Sequence, residues 1–320
     1  MSLTSHLKDT SSPIHRFFAE RFGDVGAARA VLAPTEDPGI VRGLYVPSAA
    51  RPKKPVWRLG DPVVIPELTD RRSYRWSSVG VAFDYRVRFF YPPRDGDHRG
   101  AHRGAERLNE AWGNVGLPHA FEELEERVAA LREEEPSRRG ETEFEQELGA
   151  LCLVLALYEE VFRMGGAVHS PLDDLGPLVE LQDVLTLATP TMRADLAALA
   201  GTLTATQDVL LESEIVANPT FAASAFVGGA DADLIAGHRL IDVKTVTASQ
   251  IERLDLWQIL GYVLLDTNQQ YRVDEVGLYF SRHGVQVVWT VEGLLLLMAG
   301  QRVSVDEARH DFEAALRTVC

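Results

Sequence analysis

Between residues 228 and 289 the chain changes hydrophobic period several times, and the order of those changes is what most limits its fold. Leu234-Ile235 and Leu240-Ile241-Asp242-Val243-Lys244 are short β-type runs on either side of Ala236-Gly237-His238-Arg239, a tight turn in which Gly237 is free to take positive φ. The two runs pair as a hairpin. Beyond them Ser249-Gln250-Ile251-Glu252 has capping-box form, and Ile251, Leu254, Leu260 and Leu264 follow at helical spacing. Glu275–Phe280 and 285–289 return to strand composition. Strands interrupted by a helix in this order predict an α/β unit.

The charges in this stretch are placed by the same periods. Side chains alternate along a strand, so Asp242 and Lys244 share one face, as do Asp231 and Asp233. Lys244 is the only lysine after Lys54 in a chain that otherwise uses arginine. An ammonium is a compact charge whose pKa moves with burial, whereas a guanidinium is broad and always protonated. The hairpin brings Asp233 and Asp242 within reach of one ion. Two carboxylates, with water and phosphate oxygens completing the shell, is how Mg²⁺ is usually held. On the following helix Asp255, Gln258 and Tyr262 lie along one stripe.

Asp233 followed by Asp242-Val243-Lys244 resembles the PD-(D/E)XK nuclease motif, without the proline that sometimes precedes the first aspartate. Gln258-Ile259-Leu260-Gly261-Tyr262 resembles the QxxxY element of the RecB-like branch of that superfamily. The resemblance spans residues 206–290. It implies a restriction-endonuclease-like core, a mixed central sheet flanked by helices, and metal-dependent hydrolysis of DNA phosphodiesters, RNA not being separated from DNA. In that reading Asp233 and Asp242 hold Mg²⁺ or Mn²⁺, and with Lys244 they form the catalytic set. Gln258 and Tyr262 support the metal site or touch nucleic acid. Asp231 is the alternative first aspartate, and Glu147 is a candidate for a further acidic residue drawn from a preceding helix. Branch members work in repair, recombination or phage defence beside helicases or other subunits. The competing reading is a non-catalytic nucleic-acid-binding or interaction subunit, with Asp242 and Lys244 a surface ion pair and Tyr262 a buried tyrosine on an amphipathic helix.

With 46% apolar residues over 320, the chain is globular throughout. No apolar run approaches the ~18 residues of a membrane span, and the N-terminus lacks the apolar stretch of a secretory signal, so a cytoplasmic protein without a membrane segment is expected. Cys152 and Cys320 have no CxxC spacing, which argues against structural zinc or a disulfide framework. The net charge of −15 opposes phosphate-backbone binding, yet residues 42–107 hold 14 Arg and Lys against 7 Asp and Glu. There Arg51, Lys53, Lys54, Arg71, Arg72, Arg75, Arg86 and Arg88 alternate with Trp57, Tyr74, Trp76, Tyr85 and Tyr91, a composition suited to single-strand contacts or to an ordinary surface.

Residues 12–33, 77–90, 121–135, 143–164, 172–187, 192–203 and 305–319 read as helices, 136–140 as a break, and the Pro-rich 34–66 as loop with short extended pieces. Residues 92–103, with Asp95, Asp97, His98 and His102, read as an exposed loop. The expected organisation is a mainly helical N-terminal region, 1–140, ahead of a nuclease core, 141–320.

Overall fold

The hairpin expected around Gly237 forms, with that glycine at φ 58° and Leu234, Ile235 and Ala236 opposite Ile241, Leu240 and Arg239. A computed structural model describes residues 2–24, 32–37, 39–44, 59–68, 74–91, 98–112, 116–164, 170–176, 178–206, 214–248 and 250–319. Among these, the strands are β1 (Leu32–Pro34), β2 (Ile40–Gly43), β3 (Ile215–Ala217), β4 (Leu234–Ala236), β5 (Arg239–Lys244), β6 (Glu275–Phe280) and β7 (Val285–Thr290). They form one mixed sheet in the order β1-β2-β7-β6-β5-β4-β3. The pairs β5·β6 and β2·β7 are parallel and the others antiparallel. Parallel neighbours need a crossover, and the helix Arg253–Leu265 supplies it between β5 and β6. The fold is α/β, a seven-stranded mixed sheet flanked by helices.

Two compact units divide the chain: Met1–Val63 together with Thr206–Cys320, and Val64–Ala205. The break expected at residue 140 falls instead inside the second unit, where Gly140 (φ 87°) turns the chain between the helices Gly116–Arg138 and Thr142–Met164. The N-terminal residues belong to the sheet unit because strand pairing joins positions far apart in sequence. Gly43 shows how closely they fit: a Cβ there would lie 1.7 Å from Trp289 Nε1 of β7.

In the sheet unit, Leu240, Val276, Leu278, Phe280, Val287 and Trp289 pack in one buried core with Leu256, Trp257, Leu260 and Leu264 of the crossover helix. Phe18 and Phe22, from and just after the helix Pro13–Arg21, and Phe312, from the helix Val305–Leu316, complete it. Trp257 stacks on Phe18 with ring centroids 5.8 Å apart, and its indole N–H donates to the Phe22 carbonyl at 3.0 Å. Each such side chain contributes about 1.5–3 kcal/mol on burial.

Several expected elements differ. The helix read over 12–33 forms only over Pro13–Arg21, with a separate short helix, Leu3–Lys8, ahead of it, and Leu32–Pro34 is a strand because it finds Gly43, Arg42 and Val41 as partners. The helix read over 172–187 is a 3₁₀ turn, Pro171–Asp174, and a short helix, Leu181–Leu185; the sequence between them holds glycine and proline, residue types that disfavour a continuous helix. Conversely, Gly116–Arg138 runs through Pro136, with Arg138 paired to Glu134 at 2.6 Å and Arg139 to Glu135 at 2.6 Å across the proline. His98 and His102 stand at the start of the helix Arg99–Trp112 and within it. The crossover helix is capped three residues later than expected, at Glu252, whose N–H donates to Asp255 Oδ2 at 2.7 Å; Ser249 lies outside the described residues. Among the described residues no helix is long and apolar enough to cross a membrane.

The helical unit has a charged interior, and this overturns part of the nucleic-acid reading of the basic segment. Arg86 is 1% exposed, donates through Nε and Nη2 to the two Glu145 oxygens at 2.8 Å each, reaches Glu135 at 3.3 Å and lies over the Phe90 ring. Arg88 is buried over the Tyr85 ring, and Tyr74 and Tyr85 donate their hydroxyls to buried Asp195 and Glu159. Tyr91 is also buried. Arg86, Arg88, Tyr74, Tyr85 and Tyr91 are therefore core, whereas Trp76 is exposed and Arg75 pairs with Glu160 at 3.5 Å. Arg51, Lys53, Lys54, Trp57, Arg71 and Arg72 lie outside the described residues. Burial pushes the Cys152 thiol up to about 12, so it stays an inert thiol.

His98 links this interior to pH. Burial, helped by Arg132 and Arg88, pushes its pKa down to about 3, and Arg132 Nη2 lies 3.3 Å from its Nε2. The unfolded chain takes up this proton near pH 6.5 and the folded chain only near 3, so stability is retained above 6.5 and lost on acidification between those values. Urea unfolding at pH 7.5 and 5.5 should show His98→Gln losing up to ~1 kcal/mol less than the parent protein. Equal losses would remove His98 from the acid response.

Candidate metal-dependent hydrolytic site

The strand period turns Asp242 and Lys244 to the same side of β5 as Leu240, the side covered by the crossover helix. Lys244, at the end of the strand, places its Nζ 2.8 Å from Asp242 Oδ2. The helix completes the surround: Lys244 Nζ donates to Gln258 Oε1 at 3.0 Å and lies 3.4 Å from Asp255 Oδ1. Gln258 Nε2 in turn donates to the Tyr262 hydroxyl at 2.8 Å. That bond orients the amide with its oxygen toward the ammonium. Tyr262 stacks on Phe221, centroids 5.8 Å apart and planes 23° from parallel.

Asp233 sits just before β4, and its Oδ2 accepts the Val243 N–H at 2.6 Å, between Asp242 and Lys244. Its backbone carbonyl accepts the N–H of Asn218, which adopts φ 52°. Asp231 forms an isolated β-bridge with Thr220. The structure thus brings Asp233, Asp242, Lys244, Gln258 and Tyr262 together, with Asp233 joined directly to the strand that carries the pair. Glu147 lies in the helical unit, where it pairs with Arg127 at 3.1 Å. His238 is exposed in the hairpin turn. Asp255 is the addition that sequence reading left without a role, although its place three residues before Gln258 on one stripe was the available signal.

Electrostatics follow from burial. Asp242 is 3% exposed, and burial pushes its pKa up, only partly offset by Lys244. Burial alone would lower Lys244, but Asp242 and Asp255 outweigh it and hold the ammonium above its ordinary value. Tyr262 is held well above the usual range by burial first and then by Asp242, Asp233 and Asp231. It is a neutral hydroxyl at any working pH. Among the described residues, the carboxylates of Asp231, Asp233, Asp242 and Asp255 thus act on a neighbourhood whose one ammonium is Lys244, an excess of negative charge that a divalent cation would relieve.

The donors are hard oxygens, which fit Mg²⁺ or Mn²⁺. Among the described residues no three His, Cys, Asp or Glu side chains form a ready cage. Asp233 and Asp242 would supply two ligands. A cleft of 710 Å³ opens at the other end of β5, lined by His238, Arg239, Asp274, Glu275, Thr290 and Glu292 among others. None of Asp233, Asp242, Lys244, Asp255, Gln258 and Tyr262 lines this cleft. No protein-family model, curated protein or solved structure matches this chain, and the resemblance therefore rests on Asp233, Asp242-Val243-Lys244, Gln258 and Tyr262.

Proposed function

We propose that this chain is a metal-dependent nuclease with a restriction-endonuclease-like core, hydrolysing DNA phosphodiester bonds at the end of β5. The observation that carries the reading is the convergence of Asp242 and Lys244 from a strand with Gln258 and Tyr262 from the helix after it. A buried carboxylate, an ammonium and an ordered amide are placed together where an excess of negative charge calls for a cation. Asp233 and Asp242 would hold Mg²⁺ or Mn²⁺, which when bound offsets charge on phosphate and makes water more acidic. Lys244, whose ammonium Asp242 and Asp255 hold above its ordinary value, would orient the attacking water or stabilise the charge developing on the phosphate. Gln258 fixes where that ammonium sits, and Tyr262 fixes Gln258.

The net charge of −15 favours delivery of DNA by a partner, such as a helicase or a defence subunit, over tight unaided binding. A second reading has its own observation: Asp242, Asp255 and Gln258 place three oxygens within 3.4 Å of the Lys244 ammonium, as in a structural ion pair inside a nucleic-acid-binding subunit.

Incubation with labelled single- and double-stranded DNA, linear and circular, separates them. Cleavage is expected with Mg²⁺ or Mn²⁺ and not with chelator, while Ca²⁺, with its longer and looser coordination, supports binding but little turnover. Cleavage that continues in chelator removes the metal from the reaction. Binding without cleavage under every metal favours the second reading.

A further inference from the structure

Asp255 has two oxygens engaged in two directions. Oδ2 accepts the Glu252 N–H at 2.7 Å and closes the first turn of the crossover helix, while Oδ1 faces Lys244 Nζ at 3.4 Å. Lys244 is the terminal residue of β5 and carries a long, flexible stem. Its strand gives it one partner, Asp242. Its other two, Asp255 and Gln258, come from the helix, three residues apart and so on one face. The place of the ammonium is therefore set by where the helix starts, and Asp255 is the residue that both starts the helix and holds the ammonium. Asp255 is largely shielded, with 18% of its side chain exposed, so its charge acts on Lys244 through little water.

We propose that Asp255 is a positioning residue for Lys244: it draws the ammonium toward the helix and keeps it from being held by Asp242 alone. The importance of this for cleavage rests on the nuclease reading; the placement of the ammonium does not.

The test uses Asp255→Asn, because asparagine keeps an acceptor for the Glu252 N–H and removes only the charge. Lys8, Lys53, Lys54 and Lys244 are the only lysines, so ¹⁵N-lysine labelling of the full chain gives few ammonium signals, and Lys244→Met identifies the one of interest. In the parent protein this shielded ammonium should exchange its hydrogens slowly enough to be observed. In Asp255→Asn it should broaden or vanish with little change in Tm, and Asp255→Glu should restore part of it. Cleavage with Mn²⁺ should show kcat lowered by about 10-fold, less than the 10²–10³ of removing a donor outright. KM for DNA and Mn²⁺ affinity should hold.

An unchanged Lys244 signal in Asp255→Asn reduces Asp255 to a helix cap and overturns the proposal. Weakened Mn²⁺ binding with an intact Lys244 signal overturns it too, making Asp255 a metal ligand. If the parent protein cleaves nothing, the ammonium signal still decides the placement, so the two failures are told apart.

Discussion

Lys244→Arg is expected to lower DNA cleavage by ~10² or more while the protein stays folded, the scale seen when one transition-state donor is lost. The ammonium lies 2.8 Å from Asp242, 3.4 Å from Asp255 and 3.0 Å from Gln258, a surround shaped to a single nitrogen with 16% of the side chain exposed. A guanidinium is planar, wider and set farther from the backbone, so it keeps the charge and loses the place. Lys244→Ala makes no steric demand and should lose as much. Asp242→Asn should abolish cleavage and also weaken Mn²⁺ binding, since it removes a charged ligand. Steady-state cleavage, with thermal unfolding to verify the fold, decides the matter. Near-normal turnover by folded Lys244→Arg would leave Asp242 and Lys244 as a structural ion pair.

Breaking the buried pairing of the helical unit should have the largest effect on stability. Arg86→Ala leaves Glu145, 5% exposed, without the guanidinium that binds both its oxygens, at a cost of about 3–5 kcal/mol. Glu135 keeps Arg139. Burial alone raises the Glu145 pKa, but Arg86, with smaller help from Gly140 and Arg139, holds it below its ordinary value. In the parent protein the pairing is therefore stabilising above about pH 4.5 and is lost as pH falls through the lower, folded pKa. In Arg86→Ala burial dominates, the carboxyl protonates more readily, and the deficit should shrink between pH 7 and about 4. Denaturant titrations at the two pH values measure this. A deficit independent of pH would assign the loss to packing over Phe90 instead.

Much of the sheet unit is legible in the amino-acid sequence. Gly237 marks a hairpin because its freedom at positive φ is a property of one residue. Alternation puts Asp242 and Lys244 on one face because side-chain direction follows from the backbone, and helical spacing aligns Asp255, Gln258 and Tyr262 for the same reason. The placement of Leu32–Pro34 and Ile40–Gly43 at the edge of the sheet is not legible there. Ile40 pairs with Gln286, and nothing near either residue names the other. The missed cap at Glu252 is a smaller case: Ser249 to Glu252 has the residue types of the local rule and Glu252 to Asp255 does not, yet the later set closes the first turn, and the ion pair between Asp255 and Lys244 accompanies it.

Arg86 and Lys244 mark the boundary most clearly. Both are cations on elements with apolar neighbours, and both find carboxylates: Arg86 in Glu135 and Glu145, 49 and 59 residues away, Lys244 in Asp242 beside it and Asp255 on the next helix. By itself the sequence determined which residues share a face, where the hairpin turns and which types of group lie near β5, because these depend on backbone geometry over a few residues. The tertiary structure alone decided which faces are buried, which strands become neighbours and which charge meets which. Burying a charge is tolerated only beside an opposite charge in good geometry, and that partner is brought there by the packing of the whole unit rather than by neighbours in the chain.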